Sequence, residues 1–391
     1  MKILFKFIFF LAFISILVAL IGYARGYRFD VEKRSVKSTG IISATSNPKA
    51  AKIYVNGELK GVTDTNLTLP PENYLVEIKK EGYTSWSKKI NLKGELVINV
   101  DPVLFPVNPS LSPLTNLGII KAIPTEDGDK IVIIASGSAY LFDAGKKTLP
   151  FFPPLNKIVD LSLLLNITDF KGIKITFSPD QKQAIFASPD VKSEQSYLLS
   201  LDENNLNPLD VTLSKEALIQ AWQNEKDKNN TKILETFPKD FDKIASSSFE
   251  IIAFSPNETK VLYKANNNVE LPLMIKPPLI STNQTTEERS VIKNKTYVYD
   301  RKEDKNFPLL VTSPYSLIPS IKWYSDSRHF VVEEEKKISI VDYDDTNKQT
   351  IYSGPFESSF FNPTSDGKIV VLINLNSQVN ELPDLYLVGI R

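Results

Sequence analysis

The sequence contains no cysteine and one histidine, His329. The lack of cysteine excludes disulfide bonds, thiolate catalysis, cysteine-ligated zinc and acylation as a lipoprotein. With one histidine, a multi-histidine metal site is impossible, and any histidine-based triad would have to use His329. His329 follows Ser327-Arg328 at the start of a predicted strand, and we interpret it as a structural residue rather than a catalytic one.

An excess of charge of either sign is also missing. Lysine plus arginine and aspartate plus glutamate both number 46, so the formal charge is zero. Proteins that bind nucleic acids usually carry a basic excess or a basic face, so we expect no nucleic-acid partner. The 391 residues, 42% of them hydrophobic, leave room for two or three domains with ordinary cores.

Motifs for phosphate, dinucleotide and zinc binding are absent, as is the nucleophile elbow of serine hydrolases. Residues 342–347 are rich in oxygen ligands, but they lack the glycine and the glutamate of an EF-hand, so an acidic hairpin turn is the better interpretation. Residues 333–337 are a charge run that suits a solvated strand end. We therefore predict no catalytic residue, no metal ligand and no cofactor.

A run without charge covers residues 7–23. At 1.5 Å per helical residue it would span roughly 25 Å, and about 30 Å if residues 3–6 join it. This predicts a transmembrane anchor in residues 1–28 that contacts the lipid bilayer through residues 3–23. A cleaved signal peptide is the alternative, but Ala24-Arg25-Gly26 offers no clean small-x-small cleavage pattern.

The orientation of the anchor depends on two opposing arguments. Two lysines precede the helix and five basic residues follow it closely, which by the positive-inside rule favours a cytoplasmic bulk. Long domains, however, translocate largely regardless of charge. We expect a single-pass protein with a cytoplasmic N-terminus and an extracytoplasmic bulk, and a cytoplasm-facing scaffold is the alternative.

After a polar stalk at residues 29–39, residues 40–103 show strand patterns. Residues 52–55 alternate and lead into Asn56-Gly57, a strong hairpin signal because both positions accept positive φ. Further strands at 67–69, 74–78 and 95–100 predict a small antiparallel β-sandwich.

Residues 46–92 resemble a PEGA domain. The likeness lies in the strand with its Asn-Gly turn, in Leu69-Pro70-Pro71 ahead of Tyr74, and in residues 80–83 with Trp86. The tetrapeptide that gives the family its name differs, since Pro48-Lys49-Ala50-Ala51 stands there. The resemblance implies a non-catalytic module of bacterial and archaeal surface proteins, used for adhesion, spacing or scaffolding.

Residues 104–118 contain three prolines and predict a semi-rigid linker. A loose repeat follows, in which an aromatic or apolar residue precedes a Ser-Pro-Asp-like turn and a strand. Its copies begin at Ile123, Phe177, Phe254, Trp323 and Phe361. A second strand often follows and ends in an acidic residue, as at Asp143, Asp300 and Asp342.

Strand-turn-strand units of this kind cannot bury both faces alone, and stacking them radially solves the problem. Residues 119–391 thus predict a β-propeller of five to seven blades, and the repeats resemble TolB-like, WD-type blades. A helical insertion is expected at about 212–247, with Ser214 as N-cap and a second short helix at 239–245. We favour packing of this insertion on the propeller rim, and a partner-docking element is the alternative.

The predicted fold is mainly β, with a transmembrane helix, a PEGA sandwich and a propeller, an order that resembles PEGA-domain proteins of candidate-phyla bacteria. The expected function is a non-enzymatic, membrane-anchored envelope protein that binds a protein or glycan partner on the propeller face. The alternative is an extracytoplasmic glycan hydrolase that uses propeller carboxylates.

Overall fold

The computed structural model describes residues 2–24, 27–30, 35–144, 155–164, 169–188, 194–309, 321–357, 360–375 and 381–390. The chain divides into two compact units. Unit 1 comprises Met1–Phe105 together with Ile275–Thr286, and unit 2 comprises Pro106–Met274 and Glu287–Arg391. The assignment of residues 275–286 to unit 1 was not expected from the sequence.

Unit 1 begins with one apolar helix, α1 (Lys2–Ala24). The stretch Phe5–Tyr23 has a mean hydropathy of 2.6, and none of it is buried. Its length and composition suit a membrane-spanning helix, and a signal sequence has the same properties. The strands β1 (Tyr27–Asp30) and β2 (Ser35–Ser38) follow as an antiparallel ribbon. This ribbon begins at Tyr27, within the predicted anchor, and continues through the predicted stalk, of which residues 31–34 are outside the described part.

Two small sheets make up the rest of residues 40–103. Their strands are β3 (Gly40–Ala44), β4 (Lys52–Val55), β5 (Glu58–Val62), β6 (Thr65–Leu69), β7 (Glu72–Lys79), β8 (Trp86–Leu92) and β9 (Val97–Val100). One sheet has the order β5-β4-β7-β8 and the other β6-β3-β9. Alternate residues of these strands point into a shared core that includes Ile42, Ile53, Val76 and Ile98.

The turn between β4 and β5 forms as the sequence predicts. Asn56 and Gly57 have φ values of 50° and 83°, a conformation that glycine and asparagine tolerate best. The expected purely antiparallel sandwich is wrong for one strand pair, because β3 and β9 run parallel, with Ile42 opposite Ile98. The chain crosses from β8 in one sheet to β9 in the other, so β9 enters beside β3 in the same direction.

Unit 2 contains five four-stranded antiparallel sheets among the described residues, which we number by chain order. Sheet 1 has β11 (Ile119–Pro124), β12 (Lys130–Ala135), β13 (Ser138–Asp143) and β14 (Leu155–Asp160). Sheet 2 has β15 (Lys174–Phe177), β16 (Gln183–Ala187), β17 (Ser196–Ser200) and β18 (Leu209–Asp210). Sheet 3 has β19 (Phe249–Phe254), β20 (Lys260–Ala265), β23 (Thr296–Asp300) and β24 (Lys305–Pro308). Sheet 4 has β25 (Ile321–Trp323), β26 (His329–Glu334), β27 (Lys337–Asp342) and β28 (Gln349–Tyr352). Sheet 5 has β10 (Ser110–Pro113), β29 (Phe361–Pro363), β30 (Ile369–Ile373) and β31 (Asp384–Gly389).

Every copy of the sequence repeat coincides with the turn between two successive strands of one sheet. In sheets 1, 2, 3 and 5 a buried hydroxyl organises this turn, namely that of Thr125, Ser178, Ser255 or Thr364. The hydroxyl of Ser178, for example, bonds to Asp180 Oδ1 at 2.6 Å and accepts the N–H of Gln183 at 3.0 Å. The Ser-Pro-Asp pattern therefore encodes a side-chain-stabilised turn.

Apolar clusters join the sheets face to face. Sheet 1 packs on sheet 5 through residues that include Ile133 and Val370, and on sheet 2 through residues that include Ile134 and Phe186. Sheets 3 and 4 share Leu262 and other apolar residues. Between sheets 4 and 5, the hydroxyl of Tyr324 donates to the carbonyl of Gly367 at 2.7 Å. The order of packed sheets is thus 2-1-5-4-3.

The linker prediction for residues 104–118 is wrong in part, because β10 lies inside this segment. It pairs with β31, so that Ser112 is opposite Leu387. Three prolines suggested an unpaired spacer, but Pro113 stands at the end of an outermost strand, where no ladder hydrogen bond is required of it. Sheet 5 is therefore built from both ends of the unit 2 chain.

The helical insertion is present as α3 (Lys215–Leu234) and α4 (Lys239–Ser248). Ser214 precedes α3, but its side chain makes no capping bond to the helix, because its backbone is helical (φ −106°, ψ 0°) rather than extended. A short helix α2 (Leu161–Leu164) and a ribbon of β21 (Val269–Glu270) with β22 (Ser290–Val291) complete the described elements.

Candidate functional site

His329 lies at the start of β26 and is 5% exposed. Its Nδ1 is 2.7 Å from Asp326 Oδ2, and its Nε2 is 3.1 Å from Asp342 Oδ1. Burial alone would lower the pKa of His329, but hydrogen bonds to the two carboxylates and their charges raise it to about 9. An imidazolium with both nitrogens engaged offers no free base, so the geometry supports a structural role.

The acidic residues 342–347 form a self-contained turn. Asp342 Oδ2 accepts a hydrogen bond from Asn347 Nδ2 at 2.9 Å, and Asp344 Oδ1 accepts one from Thr346 Oγ1 at 2.6 Å. Among the described residues, no group of three or more His, Cys, Asp or Glu side chains is arranged to hold a metal ion. Two carboxylates of the turn are thus hydrogen-bonded within it, as in an acidic hairpin.

The acid at the end of the second repeat strand has a recurring cross-strand partner. Lys260 is opposite Asp300, and their charged groups are 3.3 Å apart in a nearly buried pair. His329 stands opposite Asp342 in the same register. The pattern of repeats predicted these acids but not their partners, which lie at the start of the neighbouring strand. Both pairs join neighbouring strands of one sheet.

Another buried carboxylate, that of Asp304, contacts the residues that flank the segment 275–286. It accepts hydrogen bonds from the N–H of Met274 at 2.8 Å and from the hydroxyl of Tyr299 at 3.0 Å. Arg289 Nη1 is 3.3 Å from Asp304 Oδ1. Burial, and then the Asp304 carboxylate, raise the pKa of Tyr299 far above its usual value, so this hydroxyl stays a donor. The two ends of the segment are therefore fixed within unit 2.

The segment itself forms a cleft of about 320 Å³ with the sheets of unit 1. The lining residues are Asn91, Lys93, Leu96, Ile98, Leu279, Ile280, Ser281, Thr282 and Gln284. Gln284 fastens the segment, because its Oε1 accepts the N–H of Asn91 on the edge strand β8 at 2.6 Å. The sequence analysis missed this cleft, although Leu279-Ile280 ahead of the polar run 281–288 is a visible signal.

Unit 2 exposes a strip of leucines, which we call the leucine strip. It consists of Leu206, Leu209 and Leu213, which are 81%, 63% and 104% exposed. Leu209 lies in β18, the outer strand of sheet 2. Three leucines that are 63–104% exposed within eight residues leave apolar surface in water, so the strip is a candidate contact surface.

The insertion packs on sheet 3 through α4. Phe241 is fully buried and stacks on Tyr299 with ring centroids 3.9 Å apart. The described contacts of α3 reach three sheets: Lys215 pairs with Glu194 beside sheet 2, Lys226 pairs with Glu126 in a turn of sheet 1, and Phe237 beyond its end packs on Tyr299 of sheet 3. α4 is part of the core, whereas α3 has only Leu234 buried.

Comparison with known families matches residues 39–108 to the PEGA domain. The expected PEGA domain is thereby confirmed, and the match extends a few residues beyond the predicted limits of 40 and 103. A comparison with curated protein sequences found no match.

Similar solved structures include two TolB proteins. The putative TolB of Agrobacterium tumefaciens is 12% identical, with a TM-score of 0.22, and the match covers 68% of this chain and 70% of that one. TolB of Acinetobacter baumannii is 11% identical, with a TM-score of 0.24. The match covers 81% of this chain but 59% of the TolB chain, so this chain spans less than two thirds of that protein's length. An auxiliary nutrient binding protein from Bacteroides thetaiotaomicron is 9% identical, with a TM-score of 0.20, over 87% and 74% of the two chains. Because these scores are low, the account of unit 2 rests on its own strand pairings.

Proposed function

We propose that this chain is a membrane-anchored, non-enzymatic binding or scaffold protein of the bacterial cell envelope. The observation that carries the proposal is the succession of α1 and a PEGA domain in one compact unit. α1 has the length and apolar surface of a membrane-spanning helix. PEGA domains are extracytoplasmic, so the bulk of the chain lies outside, with its N-terminus in the cytoplasm.

Unit 2 is a five-bladed propeller in this proposal. Support comes from β10 and β31, which join the two ends of the unit 2 chain in one sheet, and from the packing order 2-1-5-4-3. The α3–α4 pair completes the ring between sheets 2 and 3. It covers the face of sheet 3 that is turned away from sheet 4, where Tyr263 packs on Phe241, and α3 is tied to sheet 2 through Lys215.

The partner is a protein, and it contacts the leucine strip. Aliphatic side chains provide dehydration energy without hydrogen-bond donors, which suits an apolar protein surface better than a hydroxyl-rich glycan. The strip is on an outer strand of sheet 2, so this proposal moves the contact from the propeller face to its side. The buried acids and His329 support the non-enzymatic assignment, because each is engaged in a turn or cross-strand pair.

Anchoring and orientation are tested with the full chain carrying a C-terminal tag. We expect the chain to stay in the membrane fraction after alkaline extraction, and the tag to be degraded by protease added to intact spheroplasts. A shortened, extractable chain would indicate a cleaved signal peptide. A full-length chain protected from protease would indicate the cytoplasm-facing arrangement.

Partner binding is tested by cross-linking and capture with the variant Leu209→Ser/Leu213→Ser. The control is Leu59→Ser/Val62→Ser, which alters two apolar residues on the edge strand β5 that are 57% and 50% exposed. We expect captured protein with the wild type and the control and at least tenfold less with the strip variant. Equal capture by both variants would contradict the assignment of the strip.

A further inference from the structure

The end of unit 1 that adjoins α1 brings together basic residues and an exposed apolar pair. Tyr27, at the start of the ribbon, lies 4.0 Å from the position that a Cβ on Gly22 would occupy in α1. The hydroxyl of Tyr27 donates to Glu95 Oε1 at 2.6 Å, and the N–H of Glu95 donates to the carbonyl of Thr39 at 2.9 Å. These contacts place the turn 93–95, between β8 and β9, beside the end of the helix.

Basic residues outnumber acidic ones in the segment that contains the ribbon. The segment 25–37 contains five lysines and arginines but only Asp30 and Glu32 as acids. In the ribbon, Arg28 is the register partner of Lys37. Lys93, in the adjacent turn, is exposed and lines the cleft described above.

The apolar pair shares that cleft with Lys93. Leu279 and Ile280 are 45% and 73% exposed, and Gln284 holds their segment to β8. Exposed aliphatic residues beside a lysine, in a unit that also carries a basic segment next to its apolar helix, fit a surface that rests at a membrane interface. Tyr23, at the end of α1, is 65% exposed, and tyrosine is enriched at the headgroup level.

We propose that this end of unit 1 docks on the headgroups of the anionic bilayer in which α1 is anchored, with the ribbon and Lys93 beside the phospholipid charges and Leu279-Ile280 entering the interface. The inference rests on the proposed membrane anchoring. It goes beyond that anchoring, because a helix alone would leave the PEGA domain free to tilt, whereas a docked surface fixes its height and orientation.

The absence of cysteine permits a single-label experiment on the full chain. A nitroxide is attached at Thr282→Cys, next to the apolar pair, or at Glu81→Cys, in the exposed turn at the opposite end of β8. The labelled protein is placed in nanodiscs of phosphatidylcholine alone or mixed with phosphatidylglycerol, and collision with a water-soluble relaxation agent is measured. We expect the label at position 282 to be protected from the relaxation agent only in the anionic discs, and high salt should reduce this protection. The label at position 81 should be accessible in both kinds of disc.

Charge variants locate the docking surface. Basic residues near an anionic membrane contribute about 1 kcal/mol each, so Lys37→Gln/Lys93→Gln should shift the docked-to-free ratio by about 30-fold. Lys49→Gln/Lys52→Gln removes two exposed lysines at the other end of the sheet, where Lys52 is paired with Lys79, and should leave the protection unchanged. Leu279→Ser/Ile280→Ser should reduce the depth at 282 even in anionic discs.

Failure of this inference is distinguishable from failure of anchoring. A chain that does not co-float with phosphatidylcholine vesicles would refute the anchor. A chain that co-floats but shows equal accessibility at positions 282 and 81 in the anionic discs would refute docking alone. This comparison needs only the labelled chain with all charges intact, so it holds even if a charge variant fails to fold.

Discussion

At the scale of single residues, His329 shows how an isolated titratable group can stabilise a fold. Asp326 belongs to the turn before β26 and Asp342 to the end of β27, so the imidazolium links two turns of sheet 4. The sequence indicated a structural histidine because no partner for a triad was recognisable. It could not identify Asp342 as the second partner, since that contact depends on the strand register.

The raised pKa of His329 makes its contribution dependent on pH. With a folded pKa of about 9 and an unfolded value of 6.5, the folded state binds the proton more tightly. The stabilisation is therefore fully present below pH 6.5 and is lost as the pH rises through 9. We expect it to amount to about 3 kcal/mol, and urea unfolding of wild type and His329→Gln at pH 6 and at pH 9.5 measures it.

The variant separates His329 from other groups that titrate in this range. At pH 6 the free energy of unfolding should be larger for the wild type than for His329→Gln. At pH 9.5 this difference should be lost, because neither protein then carries the imidazolium charge. If the difference in unfolding free energy between the two proteins stayed constant with pH, the paired imidazolium would be refuted.

Hydroxyl groups in the repeat turns are the second residue-scale feature. Ser255 is 1% exposed, and its Oγ bonds to Asn257 Oδ1 and accepts the N–H of Lys260, each at 3.0 Å. Ser255→Ala should lower the free energy of unfolding by about 1–3 kcal/mol, because a buried N–H loses its acceptor. Chemical denaturation measures this loss.

Ser325 provides a matched control within the same type of repeat. Its Oγ is buried without a hydrogen-bond partner. Ser325→Ala should therefore change stability by no more than about 0.5 kcal/mol, or increase it slightly. Equal losses for Ser255→Ala and Ser325→Ala would mean that the turn hydroxyls do not stabilise the repeats.

At the scale of elements, the sequence predicted what is encoded locally. All five copies of the repeat mark the turn between consecutive strands of a different sheet, because the turn needs specific side chains and the following strand is continuously apolar. β12 and β30 are buried on both sides, since neighbouring sheets cover both faces. β18 and β21, by contrast, have two residues each and no pattern to recognise.

The helical insertion was predicted for a partly mistaken reason. Ser214 stands before α3 but makes no capping bond to it, whereas α4 is stabilised by aromatic packing that local patterns do not reveal. Phe241→Ala removes a fully buried ring that stacks on Tyr299 at 3.9 Å. We expect a loss of about 3–5 kcal/mol in the free energy of unfolding, measured by thermal or urea denaturation.

Leu213→Ala is the control for the insertion. Its side chain is 104% exposed, so the substitution should change stability by less than about 0.5 kcal/mol. A small effect of Phe241→Ala would indicate that α4 is peripheral to sheet 3 rather than part of its core.

At the scale of the whole molecule, the features that the sequence could not reveal are all non-local. The pairing of β10 with β31 joins residues at opposite ends of unit 2, and residues 275–286 leave the chain of unit 2 to become part of unit 1. Neither relation leaves a periodic trace in the sequence. The same applies to the cleft, whose two walls come from distant segments. Composition and local patterns were sufficient for the apolar helix and the PEGA domain, because each is encoded in a continuous stretch.

The pairing of β10 with β31 predicts that the two ends of the unit 2 chain lie side by side in one sheet. Ser112 and Leu387 are register partners and share a face of sheet 5, while Val388 is on the other face. In this cysteine-free chain, Ser112→Cys/Leu387→Cys should form a disulfide on oxidation and stabilise the protein by about 2–4 kcal/mol, since it closes a long loop in the unfolded state. Ser112→Cys/Val388→Cys should not cross-link. Mobility on a non-reducing gel and urea unfolding with and without reductant measure both effects. Cross-linking of both pairs, or of neither, would mean that the two ends of unit 2 are not held together in this register, and the proposed closed ring would lose its main support.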